Sequence, residues 1–236
     1  MKEIQLSNRL QAVVDLVSKG AKVADVGCDH AYISIYMIEQ GIAGHVVAMD
    51  VNKGPLERAK DNIKEHGLND QIETRLSNGI KELNPGEVNT LLIAGMGGPL
   101  MEEILSGNEE VLSNVSELVL QPQSEIAHVR KFVESIGFEL EQEQMLWEDG
   151  KCYVMFKCVR KENVEKYGTE LFYRYGKSLL EQKNVALLQY IQKEKDNAES
   201  IIEKLKLHPS QRTRDIMEEW KQTIQFCEEA LRYYEG

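Results

Sequence analysis

No apolar run in this chain approaches the roughly 18 to 20 residues that a membrane-crossing helix needs, so no part of it reads as a span. The opening MKEIQLSNRLQ is polar and lacks the apolar core of a secretory signal. Cysteine is scarce: Cys28, Cys152, Cys158 and Cys227 form no C-x-x-C pair and have no histidine at metal-ligand spacing. That argues against a zinc site or a disulfide scaffold, and predicts reduced thiols in a cytoplasmic protein without a bound metal. Basic residues are also short, with 28 Lys and Arg against 39 Asp and Glu for a formal net charge of −11. Generic polyanion binders draw affinity from basic surface that releases counterions, and this chain does not have that balance. What is present suffices for a packed core: 42% hydrophobic and 28% charged residues in a chain of 236 allow one ordinary domain plus an appendage. The charge is uneven. Residues 1–160 hold 15 Lys and Arg against 25 Asp and Glu, whereas residues 161–236 hold 13 against 14, so a local basic face is expected in the second segment.

The stretch from Lys22 to Asp50 carries the most information. It reads K-V-A-D-V-G-C-D-H-A-Y, then a helical interval, then H-V-V-A-M-D. An apolar strand runs into Asp25 and Gly27 at a tight turn, a helix follows, and a second apolar strand ends in Asp50. An open α/β sheet builds a nucleoside crevice in this way, with loop backbone close to the ligand and an acid at the tip of the second strand for the ribose hydroxyls. The glycine pattern G-x-G-x-x-G is lacking, since Gly27, Asp29 and Gly41 stand with His30 and Ala31 between them. A pyrophosphate would lose close backbone approach and meet the charge of Asp29. The loop suits a nucleoside without phosphates, and S-adenosyl-L-methionine is such a ligand.

Periodicity extends the reading. Residues 5–17 form a short amphipathic helix with Ser7 as N-cap. Strands are expected at 22–26, 45–50, 72–76, 90–94 and 117–121, with helices between them at 32–40, from a first turn holding Pro55 to about His66, at 97–105 and at 125–136. Residues 138–147 and 152–159 are extended runs joined by Glu148-Asp149-Gly150-Lys151, a hairpin composition. Five β-α alternations ending in an antiparallel hairpin describe a Rossmann-like class I methyltransferase sheet, spanning residues 1–160. Residues 161–236 show no strand pattern. Leu180, Leu187, Ile191, Ala198, Ile201 and Leu205 keep steps of four and three, with Asn184 and Glu194 as polar interruptions. After Pro209 the pattern resumes at Met217, Trp220, Ile224, Cys227, Leu231 and Tyr234. This predicts an antiparallel, coiled-coil-like helical hairpin.

The residues that could carry chemistry gather after the strands. Gly27 would place backbone against the cofactor's amino-acid end, and Asp25 would orient the loop or face the sulfonium and ammonium. Asp50 would be the ribose ligand or else an acid capping the following helix, a role that Asn52 could take in its place. Asn78-Gly79 after the third strand is either a simple turn or the edge of an adenine pocket. Ala94-Gly95-Met96-Gly97-Gly98-Pro99 lies over the open end of the sheet, where glycines allow a ligand or target base to approach; a helix start needing small residues is the plainer alternative. Gln121, in Gln121-Pro122-Gln123, could bond a base edge or merely end its strand. His30 is either a loop stabiliser or a catalytic group.

With these residues assembled, VADVGCDHAY, LLIAGMGG, LVLQPQ and WEDGKCY, in that order, the chain resembles the bacterial TrmK family of tRNA adenine-22 N1-methyltransferases over nearly its whole length. The resemblance implies S-adenosylmethionine as donor, an adenine N1 in the tRNA D-arm as acceptor, and a Rossmann-like domain with a coiled-coil hairpin. It places the site on Asp25, Gly27, Asp29, His30 and Ala31, on Asp50, on Asn78-Gly79, and on Ala94, Gly95, Met96, Gly97 and Gly98. Asn78 stands where aspartate is more usual, and both keep hydrogen-bonding ability. Asp29 is the expected catalytic carboxylate beside the cationic methylated base, with His30 as its orienter or as proton acceptor. Transfer RNA would be held by Lys177, Lys183, Lys193, Arg212 and Arg214, whose plainer reading is a solvated helical surface. The expected assembly is a monomer or weak homodimer. Rival readings are a methyltransferase for another RNA or a protein, a nucleoside-binding interaction module without transfer activity, and a nicotinamide dehydrogenase, which Asp29 disfavours.

Overall fold

The computed structural model describes residues 4–207 and 210–235. Ser7 caps the first helix, α1 (Asn8–Val14), by accepting from the Leu10 N–H. The helix is shorter than its apolar spacing suggested. After Val14 the chain tightens into turns, with Leu16 N–H bonding Val13 and Val17 N–H bonding Val14. Strands and helices then alternate: β1 (Ala21–Val26), α2 (Tyr32–Glu39), β2 (Ala43–Asp50), α3 (Lys53–Glu65), β3 (Ile72–Leu76), β4 (Thr90–Met96), α4 (Gly98–Leu105), α5 (Glu109–Ser113), β5 (Glu117–Pro122), α6 (Ile126–Ser135), β6 (Phe138–Glu148) and β7 (Lys151–Arg160). The short α5 has no clear periodicity in the sequence. It exists because Asn108 caps it, accepting from Val111 N–H at 3.1 Å.

The seven strands lie in the order β3-β2-β1-β4-β5-β7-β6. The first five are parallel, and β7 runs antiparallel to β5, pairing Leu118 with Cys158. Central strands with both faces covered must be apolar throughout, and every residue of β5 is buried. The strand order reverses between β1 and β4, where Asp25 pairs with Leu92. In open sheets of this kind the crevice outside the carboxyl ends of the strands at the reversal is where ligands bind. Behind the sheet an ion pair is enclosed: Arg130 Nε donates to Glu143 at 2.8 Å, with the guanidinium over the Phe156 ring.

Packing divides the chain into two units. The first comprises residues 4–144 with 153–166. The second comprises 145–152, the tip of the β6–β7 hairpin, together with 167–207 and 210–235. The second unit contains α7 (Glu170–Tyr175), α8 (Lys177–Glu181), α9 (Val185–Lys206), α10 (Gln211–Leu231) and a closing 3-10 turn, Arg232–Tyr234. The expected helix through Leu180 is broken. Lys183 adopts φ 51°, and Asn184 caps a new helix by accepting from Leu187 N–H. The inward face of α9 is Leu187, Ile191, Ala198 and Ile202, so Ile202 is buried in place of Ile201. Antiparallel register with α10 follows from Lys195 on Glu228 at 3.0 Å and from Tyr234 Oη donating to Asn184 O at 3.0 Å. Glu194, a polar interruption, is used: it accepts from Arg174 at 2.8 Å and from Tyr175 Oη at 2.7 Å. Ser210 and Thr213 form a capping box at the start of α10, and Pro209 lies outside the described residues.

Candidate functional site

Two adjoining cavities open at the carboxyl ends of β1, β2 and β4, and they share Gly27, Ala94 and Gly95. The larger, about 310 Å³, is lined by Asp50, Asn78, Gly79 and Met96, and by the side chains of Val51, Leu100 and Ile104. The smaller, about 200 Å³, is lined by Asp25, Asp29, His30, Arg9, Leu10 and Tyr32.

The turn after β1 is shaped for close approach. Gly27 has φ 82°, and a Cβ there would stand 2.3 Å from Met96 Cε. The N–H groups of Gly27 and Cys28 both donate to Met49 O, at 2.8 and 2.9 Å. The amides that would cradle a phosphate are thus spent on β2, and with Asp25 and Asp29 beside them the donor set fits a cationic nucleoside without phosphates. Asp29 and Ala31 adopt φ 46° and 58°, an uncommon conformation for residues with a Cβ. The Asn62 side chain braces this bend by donating to His30 O at 2.9 Å. The result is an exposed Asp29 carboxylate 3.7 Å from His30 Nε2 and 3.6 Å from Arg58, with the imidazole stacked on Tyr32 at 5.4 Å between ring centroids.

Asp25 is 3% exposed and accepts from the Ser34 hydroxyl at 2.6 Å. Burial pushes its carboxyl up to about 6; the Ser34 hydrogen bond opposes this and the Asp50 charge adds to it. Burial likewise pushes the Cys28 thiol up, so it is no nucleophile. Asp50 stands at the tip of β2, and its Oδ1 accepts from Asn52 N–H at 2.8 Å. The Asn52 side chain makes no cap bond to α3, so the expected cap is not formed; Asp50 organises this turn while lining the cavity. Ser77 ties the third loop to the same rim: its N–H donates to Asp50 O at 2.9 Å and its hydroxyl to Gly79 O at 2.7 Å.

Three expected substrate contacts are placed differently. Gln121 is fully buried. Its Oε1 accepts from Gly95 N–H at 3.1 Å and from Arg9 Nη1 at 2.7 Å, so it shapes the β4 loop from beneath and presents no edge to a base. Gly97 and Gly98 line neither cavity. A Cβ on Gly97 would meet Ser124 Oγ at 3.0 Å, and one on Gly98 would meet Ser124 O and Glu125 at 2.9 Å, so their smallness lets α4 start against the 124–125 loop. The basic residues of the second unit are also not gathered. Lys177 begins α8, Lys183 lies in the turn before α9, and Lys193 sits in α9 with its Nζ 4.0 Å from the Trp147 ring centroid. Arg212 and Arg214 are in the first turn of α10. At about 1.5 Å per residue, the length of α9 separates Lys183 from Arg212 by roughly 30 Å, so the five form no single cluster. Residues not anticipated from sequence are Arg9, Leu10, Tyr32, Val51, Leu100 and Ile104. Val51 is 61% exposed directly after the acid of β2, a local signal that was available. Arg9 had none.

The order of strands and the crevice define a class I methyltransferase, and a methyltransferase-domain family matches residues 6–156. The tRNA (adenine(22)-N(1))-methyltransferase of Bacillus subtilis (strain 168) is 33% identical over 208 residues, 87% of each chain. The crystal structure of the B. subtilis m1A22 tRNA methyltransferase TrmK has a TM-score of 0.86 at 28% identity, over 97% of this chain and 100% of that one. A Streptococcus pneumoniae protein crystallised in complex with S-adenosyl-L-methionine has a TM-score of 0.85 at 31% identity, over 96% of this chain and 100% of that one. The chain belongs to the family of S-adenosylmethionine-dependent tRNA (adenine(22)-N1)-methyltransferases. No helix among the described residues is long and apolar enough to cross a membrane, and no group of metal-ligating side chains occurs among them.

Proposed function

We propose that the larger cavity takes the adenosine of S-adenosylmethionine and that the smaller takes its methionine end beside the target base, so that the chain methylates N1 of adenine 22 in the D-arm of tRNA. The observation that carries this reading is the junction of the two cavities at Gly27, Ala94 and Gly95. Asp50 holds the ribose hydroxyls, Val51 and Leu100 flank the adenine, and Asn78-Gly79 closes its edge.

When bound, S-adenosylmethionine supplies a methyl group on a sulfonium: the adenine N1 lone pair forms the new N–C bond while the S–C electron pair returns to sulfur. The acceptor enters with N1 unprotonated and leaves cationic, so the protein has no proton to remove. Its tasks are alignment and stabilisation of the positive charge on the base. Asp29 supplies that negative charge at the mouth of the smaller cavity, and His30 and Arg58 fix its orientation. The carbonyls of Ala94 and Gly95 add dipoles on the other side. N1 is reachable only in a base released from pairing, and the exposed Tyr32 ring, stacked on His30, offers such a base a flat surface.

The helical unit holds the RNA through Lys183 and Lys193 at one end and Arg212 and Arg214 at the other, a spacing suited to backbone phosphates strung along a stem. The protein acts in the cytoplasm as a monomer or weak homodimer. The deciding experiment incubates the protein with unmodified tRNA transcripts and methyl-labelled S-adenosylmethionine, then maps the label by reverse-transcription arrest. Arrest at adenine 22, lost in transcripts with guanine there, is the expected result. Label at another nucleotide, or in protein, would overturn the reading.

A further inference from the structure

Asp29 and Ala31 hold a left-handed backbone, φ 46° and 58°, with one residue between them. Residues with a Cβ rarely enter that region, and backbone kept there collects where a site needs one fixed geometry. The helix that follows offers no local compensation: its N-cap is Ala31, which has no side-chain acceptor for the first turn.

Support comes from α3. Arg58, Asn62 and His66 stand about one turn apart on one face of this helix, and all three reach the segment from the β1 turn to the end of α2. Arg58 lies 3.6 Å from Asp29, the Asn62 amide donates to His30 O at 2.9 Å, and His66 Nδ1 lies 2.7 Å from Glu39. The Asp29 carboxylate is 65% exposed, and its partners Arg58 and His30 come only to 3.6 and 3.7 Å. Pairs so exposed are weak in water, so the direction in which this carboxylate leaves the chain is set first by the backbone beneath it. The Asn62 bond acts on that backbone. His30 O belongs to the planar peptide group that joins His30 to Ala31, and holding the oxygen holds the plane between the two left-handed residues. The same helix begins just after Asp50, whose Oδ1 accepts from Asn52 N–H at 2.8 Å, so its start is tied to the rim of the larger cavity.

We propose that Asn62 is a positioning residue for methyl transfer, holding the bend of the β1 turn so that the Asp29 carboxylate faces the acceptor base. The proposal rests on the reading that places Asp29 beside that base.

The test is a double-mutant cycle on Asn62→Ala and Asp29→Asn, read as the single-turnover rate of methyl transfer at saturating S-adenosylmethionine and tRNA. Asn62→Ala should lower that rate roughly 10-fold, since a misplacement on the order of 1 Å can cost about 100-fold, with the affinities for both substrates unchanged. In the Asp29→Asn background the same change should cost nothing further, whereas its effect on the melting temperature should be the same in both backgrounds. A wild-type rate in Asp29→Asn would overturn the reading of Asp29 and this proposal with it. A slow Asp29→Asn beside a wild-type rate in Asn62→Ala, or losses that multiply in the double variant, would overturn the proposal alone. So would a loss confined to S-adenosylmethionine affinity, because Asn62 would then serve cofactor binding only. Should Asn62→Ala fail to fold in a thermal melt, Asn62→Asp takes its place in the cycle with the same expectations, being of equal size but, when ionised, without an N–H or O–H to donate.

Discussion

Asp25 lies beneath the β1 turn with its carboxyl raised to about 6, chiefly by burial. A sulfonium and an ammonium placed beside it favour its ionised form, so binding the methyl donor expels the proton that Asp25 holds in mildly acidic solution. If only the ionised form binds, the apparent affinity falls by a factor of about 1 + 10^(6−pH), or roughly 1.1 at pH 7 and 11 at pH 5, a tenfold difference. Titration calorimetry across that range in two buffers of different ionisation enthalpy measures both the affinity and the proton released. Asp25→Asn keeps a partner for Ser34 and removes the titration, so its curve is flat. The stability effect has the opposite sense. The raised value means that the native state holds a proton the unfolded chain has lost between about 3.8 and 6. The contribution of Asp25 is therefore complete below the lower value and is lost as pH rises through the upper one. At pH 7 the ionised buried carboxylate costs about 3 kcal/mol, since each tenfold weakening of the acid corresponds to about 1.4 kcal/mol. Asp25→Asn should then melt higher than wild type at pH 7, with the gap closing towards pH 4. Affinity in wild type that does not change between pH 5 and 7, or an equal slope in Asp25→Asn, would refute the reasoning.

Gly27→Ala forces a Cβ into the left-handed region 2.3 Å from Met96 Cε; it should lose about 1–2 kcal/mol of stability and most cofactor binding. Gly27→Ala with Met96→Ala relieves the contact but not the backbone cost, so melts and calorimetry on both variants separate the two, and normal binding in the single variant would exclude close approach at this turn. Glu143→Ala strips the buried Arg130 of a partner at 2.8 Å and should destabilise by on the order of 3 kcal/mol in denaturant titration, with turnover per folded molecule unchanged. Lys183→Glu with Lys193→Glu should raise the KM for tRNA several-fold, lower the salt dependence of binding by roughly 0.7–0.9 per lost phosphate contact, and leave the affinity for S-adenosylmethionine alone; an unchanged salt slope would remove these two from the RNA surface.

What could be read from the sequence was what covalent spacing and periodicity carry. Asp25, Gly27 and Asp50 follow strands of unambiguous pattern, and a parallel sheet brings the ends of such strands to one rim whatever the loops contain. Asn78-Gly79 joined them for the same reason. Gln121 was misplaced because a glutamine before a proline resembles a strand end in solvent, whereas β5 is central and its last residues stay inside. Arg9 could not be found, since its meaning lies in a contact across 112 residues. Gly97 and Gly98 looked like ligand glycines because the sequence does not say which neighbour needs the space; here it is the loop before α6. The break at Lys183 was hidden because heptad spacing continues through it, so only the backbone reveals two helices.

The hairpin tip has a practical consequence. Residues 145–152 belong with the helices although 138–144 and 153–160 belong to the sheet, so the polypeptide crosses from one unit to the other at 144/145, 152/153 and 166/167. The Trp147 indole donates to Ala186 O at 3.1 Å and lies under Lys193, so a fragment severed after Arg160 would leave behind part of its own interior. The helices are therefore no detachable handle. Grafting them onto another enzyme requires transplanting two strand ends as well, and a protease nick between 161 and 166 would leave both pieces still joined through the tip.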